Sequence, residues 1–435
     1  MRVGPAGGSR FNGGATRLTL RGWCFLAAAV MIAVFAYSAG LSELLYAACF
    51  LAVLPVVALV LARLRRMRLT VVRTFTPRVV SAGSPAVVDI EVTNQSRTAS
   101  PAGTWADRIP WAPGTAGPGI LPSLSAMVPH YATEGAATRL SYTLRPPARG
   151  VYDIGPLEVE SIDPFSLGRG HASLGGVQQL FVIPTVVPFG EGGPMIVAGD
   201  GNARLVQRHV SGNDDDLMTR EYRSGDALRR VHWRASARHG ELMVRQEEQR
   251  TYPEARLLID TVRSGYDDAL TDAGFTAADS YAFEWAVKML ASLGVHLHRA
   301  GFRVQVIETG AGQVSALGDA NSGGGQDHEF LLSLASLRLT DAIPTEQRAE
   351  RTDAPGPIFA ILADPDPRTA DWIAGQRHGS EIGIAFIVGG RFEEAHQRLS
   401  DWGWICVPVR DDEDPALAWA SVSRFASLTG FHGRG

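Results

Sequence analysis

At 435 residues, 45% hydrophobic and formal net charge -4, the chain is long enough for two or three cored domains, and its charge balance excludes a general nucleic-acid binder. Of three cysteines, Cys24 and Cys49 fall in apolar runs and only Cys406 lies in the soluble portion, which excludes a disulfide framework.

Residues 1–21 read as a basic tail carrying Arg2, Arg10, Arg17 and Arg21. Two uncharged apolar runs follow, Trp23–Leu41 and Leu44–Ala62, each close to the roughly 20 residues a spanning helix needs. They predict a transmembrane helical hairpin over 22–64. Pro55 is tolerated there because neighbouring helices satisfy the carbonyl it frees. Arginines precede the first run and follow the second at Arg63, Arg65, Arg66 and Arg68, so both flanks are expected on the cytoplasmic side. A cleaved signal peptide is the competing reading of the first run, but no small-x-small site precedes a polar segment and a second span comes at once.

From 70 to 190 the period changes to two. Val88, Ile90 and Val92 alternate with polar residues, as do Leu140, Tyr142 and Leu144, and Val151–Ser161 and Leu180–Val187 continue the series between Gly/Pro punctuation. The expectation is an antiparallel β-sandwich of roughly immunoglobulin size, with 97–137 a long loop or irregular hairpin. No catalytic constellation is visible in it, and a spacer or protein-contact role is expected. Residues 191–219 read as a Gly- and Asp-rich linker; its run Asp214–Asp215–Asp216 lacks the alternating ligands and distal glutamate of a calcium loop.

Residues 220–250 are the most informative stretch, with eight arginines interleaved with Glu221, Asp226, Glu241, Glu247 and Glu248 around His232 and Trp233. The mixture suggests a paired, structured surface more than a nucleic-acid stripe. Gly225 suits a turn, Asp226 an N-cap, Ala227–Arg238 a helix, Gly240 its stop and Leu242–Arg245 a strand. On that helix Leu228, Val231 and Ala235 share one face, and Arg229, Trp233 and Ser236 another. Two readings of the second face stand: packing between the β-rich and carboxy-terminal regions, or a docking surface for an acidic partner or phosphate. A Ser/His hydrolase built on His232, Ser236 and Asp226 is the third, without a Gly-x-Ser-x-Gly elbow or oxyanion hole to support it. The chain also has no P-loop.

Over 251–435 short apolar runs at Leu257–Ile259, Val304–Ile307, Ile358–Leu362, Ile384–Val388 and Ile405–Val409 alternate with amphipathic segments. This predicts a doubly wound α/β domain with a parallel sheet covered on both faces. A helix rich in Ala282, Trp285, Met289 and Leu293 follows a capping box at Thr276 and Asp279, and further helices fit 329–337, 368–376, 392–402 and 416–428. Asp260 and Asp364 stand after the first and third strands, where ligands bind in such sheets.

That outline resembles the von Willebrand factor A domain, whose members bind Mg2+ through an Asp-x-Ser-x-Ser loop with a threonine and an aspartate from later loops. Here the loop reads Asp260-Thr261-Val262-Arg263-Ser264, with valine in place of the first serine, an arginine beside the would-be ion and no threonine around 326–329. A metal site on Asp260, Ser264 and Asp364 is therefore not expected, and Asp260 is expected to cap a turn.

The run from Arg220-Glu221-Tyr222 and Gly225-Asp226 through Arg229-Arg230, His232-Trp233 and Ser236-Ala237-Arg238 to Leu242 resembles the bacterial membrane-protein family catalogued as domain of unknown function 58. The paired apolar runs and the segment from Arg149-Gly150 to Asp163-Pro164-Phe165 extend the resemblance. It implies a multi-pass protein of the bacterial cytoplasmic membrane with cytoplasmic termini and soluble domains. It also implies a MoxR-type AAA+ ATPase as partner, and a transglutaminase-like membrane protein as a further one, in envelope-related maturation or assembly. Taken together, these features predict a membrane-anchored, non-enzymatic interaction or scaffold protein that contacts the lipid bilayer and binds no nucleic acid, with no cofactor. The alternative is an Mg2+-dependent ligand binder of the von Willebrand type.

Overall fold

The computed structural model describes residues 16–64, 68–112, 116–127, 135–163, 165–190, 219–222, 231, 233–245, 254–268, 280–314, 325–341, 356–379, 381–389 and 392–428. They divide into two compact units, one running to Thr185 and taking in residues 331–337, the other holding the rest.

The first unit opens with β1 (Thr16–Leu18) and two apolar helices, α1 (Leu20–Ala39) and α2 (Ser42–Leu64), which pack against each other. Thr19 caps α1 by accepting a hydrogen bond from Gly22 N at 3.2 Å. Pro55 lies inside α2. Both helices are long and apolar enough to cross a membrane, and most of their apolar side chains are exposed, Val30, Phe35 and Phe50 among them.

Ten strands follow: β2 (Leu69–Thr76), β3 (Val79–Ser81), β4 (Ala86–Asn94), β5 (Gly103–Asp107), β6 (Ala116–Leu121), β7 (Ala137–Leu144), β8 (Gly150–Ile154), β9 (Leu157–Ile162), β10 (Gly168–Leu174) and β11 (Gln178–Ile183). They form sheets ordered β2-β4-β7, β1-β10-β9-β5-β6 and β3-β11-β8. Alternation decides which faces point inward: Val88, Ile90 and Val92 of β4 are fully buried and join Trp105, Leu121, Ile154, Leu157, Val159, Leu180 and Val182 in one core shared by all three sheets. Each such side chain contributes about 1.5–3 kcal/mol when fully buried.

The structure refines the sequence-based picture in three places. Residues 151–161 form two strands in different sheets, because Gly155 and Pro156 turn the chain between β8 and β9. Within 97–137, β5 and β6 make a hairpin with a bulge between Trp105 and Asp107, and β5 also pairs with β9. The pairing of β3 with β11 is parallel, a departure from an all-antiparallel sandwich.

The second unit begins with a strap in which Phe189 stacks on Trp419 and Val187 N donates to Ser292 Oγ at 3.0 Å. Its elements are β12 (Thr219–Glu221), α3 (Trp233–His239), β13 (Met243–Arg245), β14 (Glu254–Ile259), α4 (Tyr281–Arg299), β15 (Arg303–Glu308), α5 (Gly325–Ala335), β16 (Ile358–Leu362), α6 (Pro367–Gly375), β17 (Gly383–Val388), α7 (Phe392–Asp401), β18 (Ile405–Val409) and α8 (Pro415–Leu428). Five of the strands form an all-parallel sheet in the order β15-β14-β16-β17-β18.

Both faces of that sheet are covered, which is why β16 and β17 at its middle read as unbroken apolar runs. Leu258, Ile358, Ala360, Ala385 and Ile387 pack with Ile373 of α6, Leu399 of α7 and Trp404. On the other face α4 crosses the strands and Phe359 meets Trp419 of α8. The cap of α4 is Ser280, whose Oγ accepts from Phe283 N at 2.9 Å, while Asp268 takes the Tyr281 and Ala282 N–H groups at 2.7 and 3.2 Å. The expected capping pair Thr276 and Asp279 lies outside the described residues. At the amino end of the sheet the fully buried Arg256 donates to the Gln376 carbonyl at 3.0 Å, which terminates α6, and pairs with Glu381.

Candidate functional site

Strand order reverses around β14: the chain goes from β14 to β15 on one side, then to β16 on the other. Two crossovers in opposite directions leave a crevice at the carboxyl ends of these strands, the usual place for a ligand in such sheets. Asp260 follows β14 there, Thr309 follows β15, and Asp364 stands two residues beyond β16.

The polar groups at this point engage one another. Asp260 is fully buried; its Oδ1 accepts from Val262 N at 3.1 Å and from the Thr309 hydroxyl at 2.5 Å. The first of these closes a turn on the aspartate's own chain. Thr309 Oγ1 in turn accepts from Thr261 N at 2.9 Å, and Thr261 Oγ1 accepts from Gly310 N at 3.0 Å. Tyr266 donates its hydroxyl to the Asp260 carbonyl at 2.7 Å. Val262 forms a parallel bridge with Thr340, whose Oγ1 donates to the Thr261 carbonyl at 3.3 Å.

Sequence reasoning found Asp260 and Asp364 and no threonine around 326–329, but missed Thr309 and Thr340. Their hydroxyls arrive from 49 and 79 residues away in sequence. The available signal was position: Thr309 directly follows an apolar strand, as Asp260 does.

A divalent cation does not fit this donor set. Mg2+ demands about six oxygens in near-octahedral array. Val262 supplies none, one oxygen of Asp260 already holds a hydroxyl and an N–H, and the Gly265 backbone lies so close to Asp260 Oδ2 that a Cβ there would come within 2.5 Å of it. Asp364 is half-buried and its backbone N donates to the Gly265 carbonyl at 2.9 Å; Ser264 is exposed. The Arg263 guanidinium reaches the Leu339 carbonyl at 3.4 Å.

Beside this knot, Glu308 ends β15 with 7% exposure. Its Oε1 accepts from Gln313 N at 2.6 Å and Val314 N at 2.8 Å, fastening the loop after the strand, while Oε2 is buried with no hydrogen-bond partner among the described residues. Burial pushes its carboxyl above the usual glutamate range, and the two N–H groups offset only part of that.

The second candidate is the arginine-rich segment. β12 and β13 pair antiparallel, with Arg220 opposite Val244 and Glu221 opposite Met243, and Tyr222 N donates to the Leu242 carbonyl at 2.8 Å. Between them α3 runs from Trp233, and Gly240 ends it at φ 77° with its N–H on the Ser236 carbonyl. Ser236 Oγ accepts from Met243 N at 2.8 Å, so helix and strand are pinned together.

One expectation changes here: Val231 is a buried bridge residue and α3 begins at Trp233, while 227–230 and 232 of the expected helix Ala227–Arg238 lie outside the described residues. The expected strand at Leu242–Arg245 is present as β13, which pairs with β12 in a two-stranded sheet. The Trp233 side chain is 68% exposed. Tyr222 is half-buried and Arg238 exposed, while Gly225, Asp226, Arg229, Arg230 and His232 lie outside the described residues, and with them the His232–Ser236–Asp226 group.

Residues 218–354 match the family model described as protein of unknown function DUF58. No curated protein matches. Among solved structures, the CARDB domain of a Pyrococcus furiosus protein, in complex with di-metal ions, is 16% identical over 27% of this chain and 89% of that one, with a TM-score of 0.19. Von Willebrand factor type A from Catenulispora acidiphila is 13% identical over 41% of this chain and 42% of that one, with a TM-score of 0.24.

Proposed function

We propose that this chain, which resembles the DUF58 family and carries its match over residues 218–354, is a membrane-anchored, non-enzymatic interaction or scaffold protein. The observation that carries the reading is Trp233, an aromatic ring 68% exposed at the head of a helix pinned to β13 through Ser236. Exposed aromatic side chains on rigid elements are the usual anchors of protein interfaces. The exposed apolar side chains of α1 and α2 support the membrane anchor, and the arginines flanking them support cytoplasmic placement of both ends in a multi-pass topology.

The partner is a MoxR-type AAA+ ATPase, as the family resemblance implies, with a transglutaminase-like membrane protein in the same assembly and envelope-related maturation as its setting. Affinity purification of the full-length protein from gently solubilised membranes tests this. Recovery of an AAA+ ATPase is expected; its repeated absence contradicts the proposal.

A further inference from the structure

The turn between β9 and β10 is built around Asp163. Its Oδ1 accepts from Phe165 N at 2.8 Å, its Oδ2 from Gly168 N and its carbonyl from Ser166 N at 2.9 Å. The turn so fixed buries Leu167 but leaves Phe165 63% and Ile162 50% exposed.

This turn is seated on the base of the apolar hairpin. Thr19 donates its hydroxyl to the Ser166 carbonyl at 2.6 Å and its N–H to the Leu167 carbonyl at 2.9 Å. Gly22 of α1 approaches so closely that a Cβ would lie 2.5 Å from the Leu167 carbonyl, and a Cβ on Gly168 would lie 3.7 Å from the Ala58 backbone of α2. Ala58 stands inside the uncharged run that ends at Ala62. At 1.5 Å per residue it lies about 7.5 Å along the helix from Arg63. The headgroup layer outside the hydrocarbon core is about 5–7 Å thick on each side. A bilayer that covers the uncharged runs therefore reaches the β9–β10 turn.

The surroundings match that layer. Leu20 and Trp23 are 81% and 61% exposed at the same end of α1, and Arg17, Arg21 and Arg63 are exposed around them, with Arg63 Nε donating to Thr16 Oγ1 at 3.1 Å. Aromatic rings beside arginines are the composition of a membrane–water interface.

We propose that the β9–β10 turn is an interfacial membrane contact, with Phe165 and Ile162 at the headgroup–acyl boundary and Arg17, Arg21 and Arg63 facing anionic headgroups. The inference rests on the reading of α1 and α2 as spans. Its consequence is that the β-rich unit is held at a fixed height on the bilayer by its own turn as well as by the hairpin.

The test uses the full-length protein with Cys24→Ala, Cys49→Ala and Cys406→Ala, in phosphatidylethanolamine–phosphatidylglycerol vesicles containing nitroxide lipids. A polarity-sensitive fluorophore is placed at Phe165→Cys, at Val30→Cys within α1, or at Ile120→Cys on β6, three strands from β10 in the same sheet. Blue-shifted emission at 165, quenched more by shallow than by deep nitroxides, with loss at 30 and none at 120, is the expected result. If 165 behaves like 120 while 30 is quenched, the spans stand and the turn contact is overturned. A blue shift at 165 without lipid quenching also overturns it, since protein then covers the turn. No quenching at 30 overturns the spanning reading and this proposal with it.

Discussion

Arg73 holds Asp107 through two parallel hydrogen bonds, Nε to Oδ2 at 2.9 Å and Nη2 to Oδ1 at 2.7 Å, with both side chains sealed from water. Its Nη1 donates to the Gly175 and Gly176 carbonyls at 3.2 and 2.9 Å, and Tyr142 adds its hydroxyl to Asp107 Oδ2 at 2.8 Å. Burial, with Asp107 alongside, holds the Tyr142 phenol far above the ordinary tyrosine range, so it remains a donor. Desolvation of a buried pair offsets much of its attraction, but removing one partner strands the other. Arg73→Met or Asp107→Asn is expected to cost about 3–5 kcal/mol in denaturant unfolding. The triple variant Arg73→Met/Asp107→Leu/Tyr142→Phe is expected to lose less than either single one.

Gly155 closes over this pair. It sits at φ 101°, and a Cβ there would lie 2.7 Å from Arg73 Nη2 and 2.6 Å from the Gly176 carbonyl. Gly155→Ala combines a strained backbone with a clash against groups that cannot withdraw, so its cost is expected to exceed about 1 kcal/mol. Thermal melting of the full-length protein reads it directly; an unchanged midpoint would contradict the geometry.

Glu308 gives the protein a pH dependence of defined sign. Its carboxyl binds a proton more tightly in the folded state than in the unfolded chain, because burial disfavours the anion. Its contribution is therefore full below the unfolded pKa and lost as pH rises through the folded one. Glu308→Gln keeps an oxygen for the Gln313 and Val314 N–H groups and removes the titration. The stability gap, variant minus wild type, should grow as pH rises above the ordinary glutamate range. A constant gap would exclude Glu308 as the source.

Much of the α/β unit is legible in the sequence because its physics is local. β16 and β17 are apolar runs since both sheet faces are covered, and α4 shows its period since one side packs on those strands. In the β-rich unit, β4 and β7 show in their alternation, but β10 reads Gly-Arg-Gly-His-Ala-Ser-Leu and has no pattern to find; it is a strand because β9 and β1 pair with it. The candidate sites divide the same way. Asp260 is visible from its place after a strand, whereas Thr309 reaches it, and Thr340 reaches Thr261, only through the fold. Val231 carried a helical period, yet it sits in a single β-bridge.

The Asp260 knot is expected to act in stability. Asp260→Ala strips the Thr309 hydroxyl and the Val262 N–H of their acceptor and should cost about 1–3 kcal/mol. Calorimetric titration of the full-length protein with Mg2+ or Mn2+ is expected to give no saturable heat attributable to Asp260. Heat abolished by Asp260→Asn would revive the metal reading.

The central claim is that Trp233 anchors a protein partner, and the direct measurement is recovery of the proposed AAA+ ATPase partner with wild-type and Trp233→Ala proteins, compared at equal amounts of bait. An exposed side chain contributes little to folding, so the variant's unfolding free energy should stay within about 0.5 kcal/mol of wild type. A buried interface aromatic is commonly worth about 2 kcal/mol or more, so recovery should fall about tenfold or further. Equal recovery from both proteins would contradict the account.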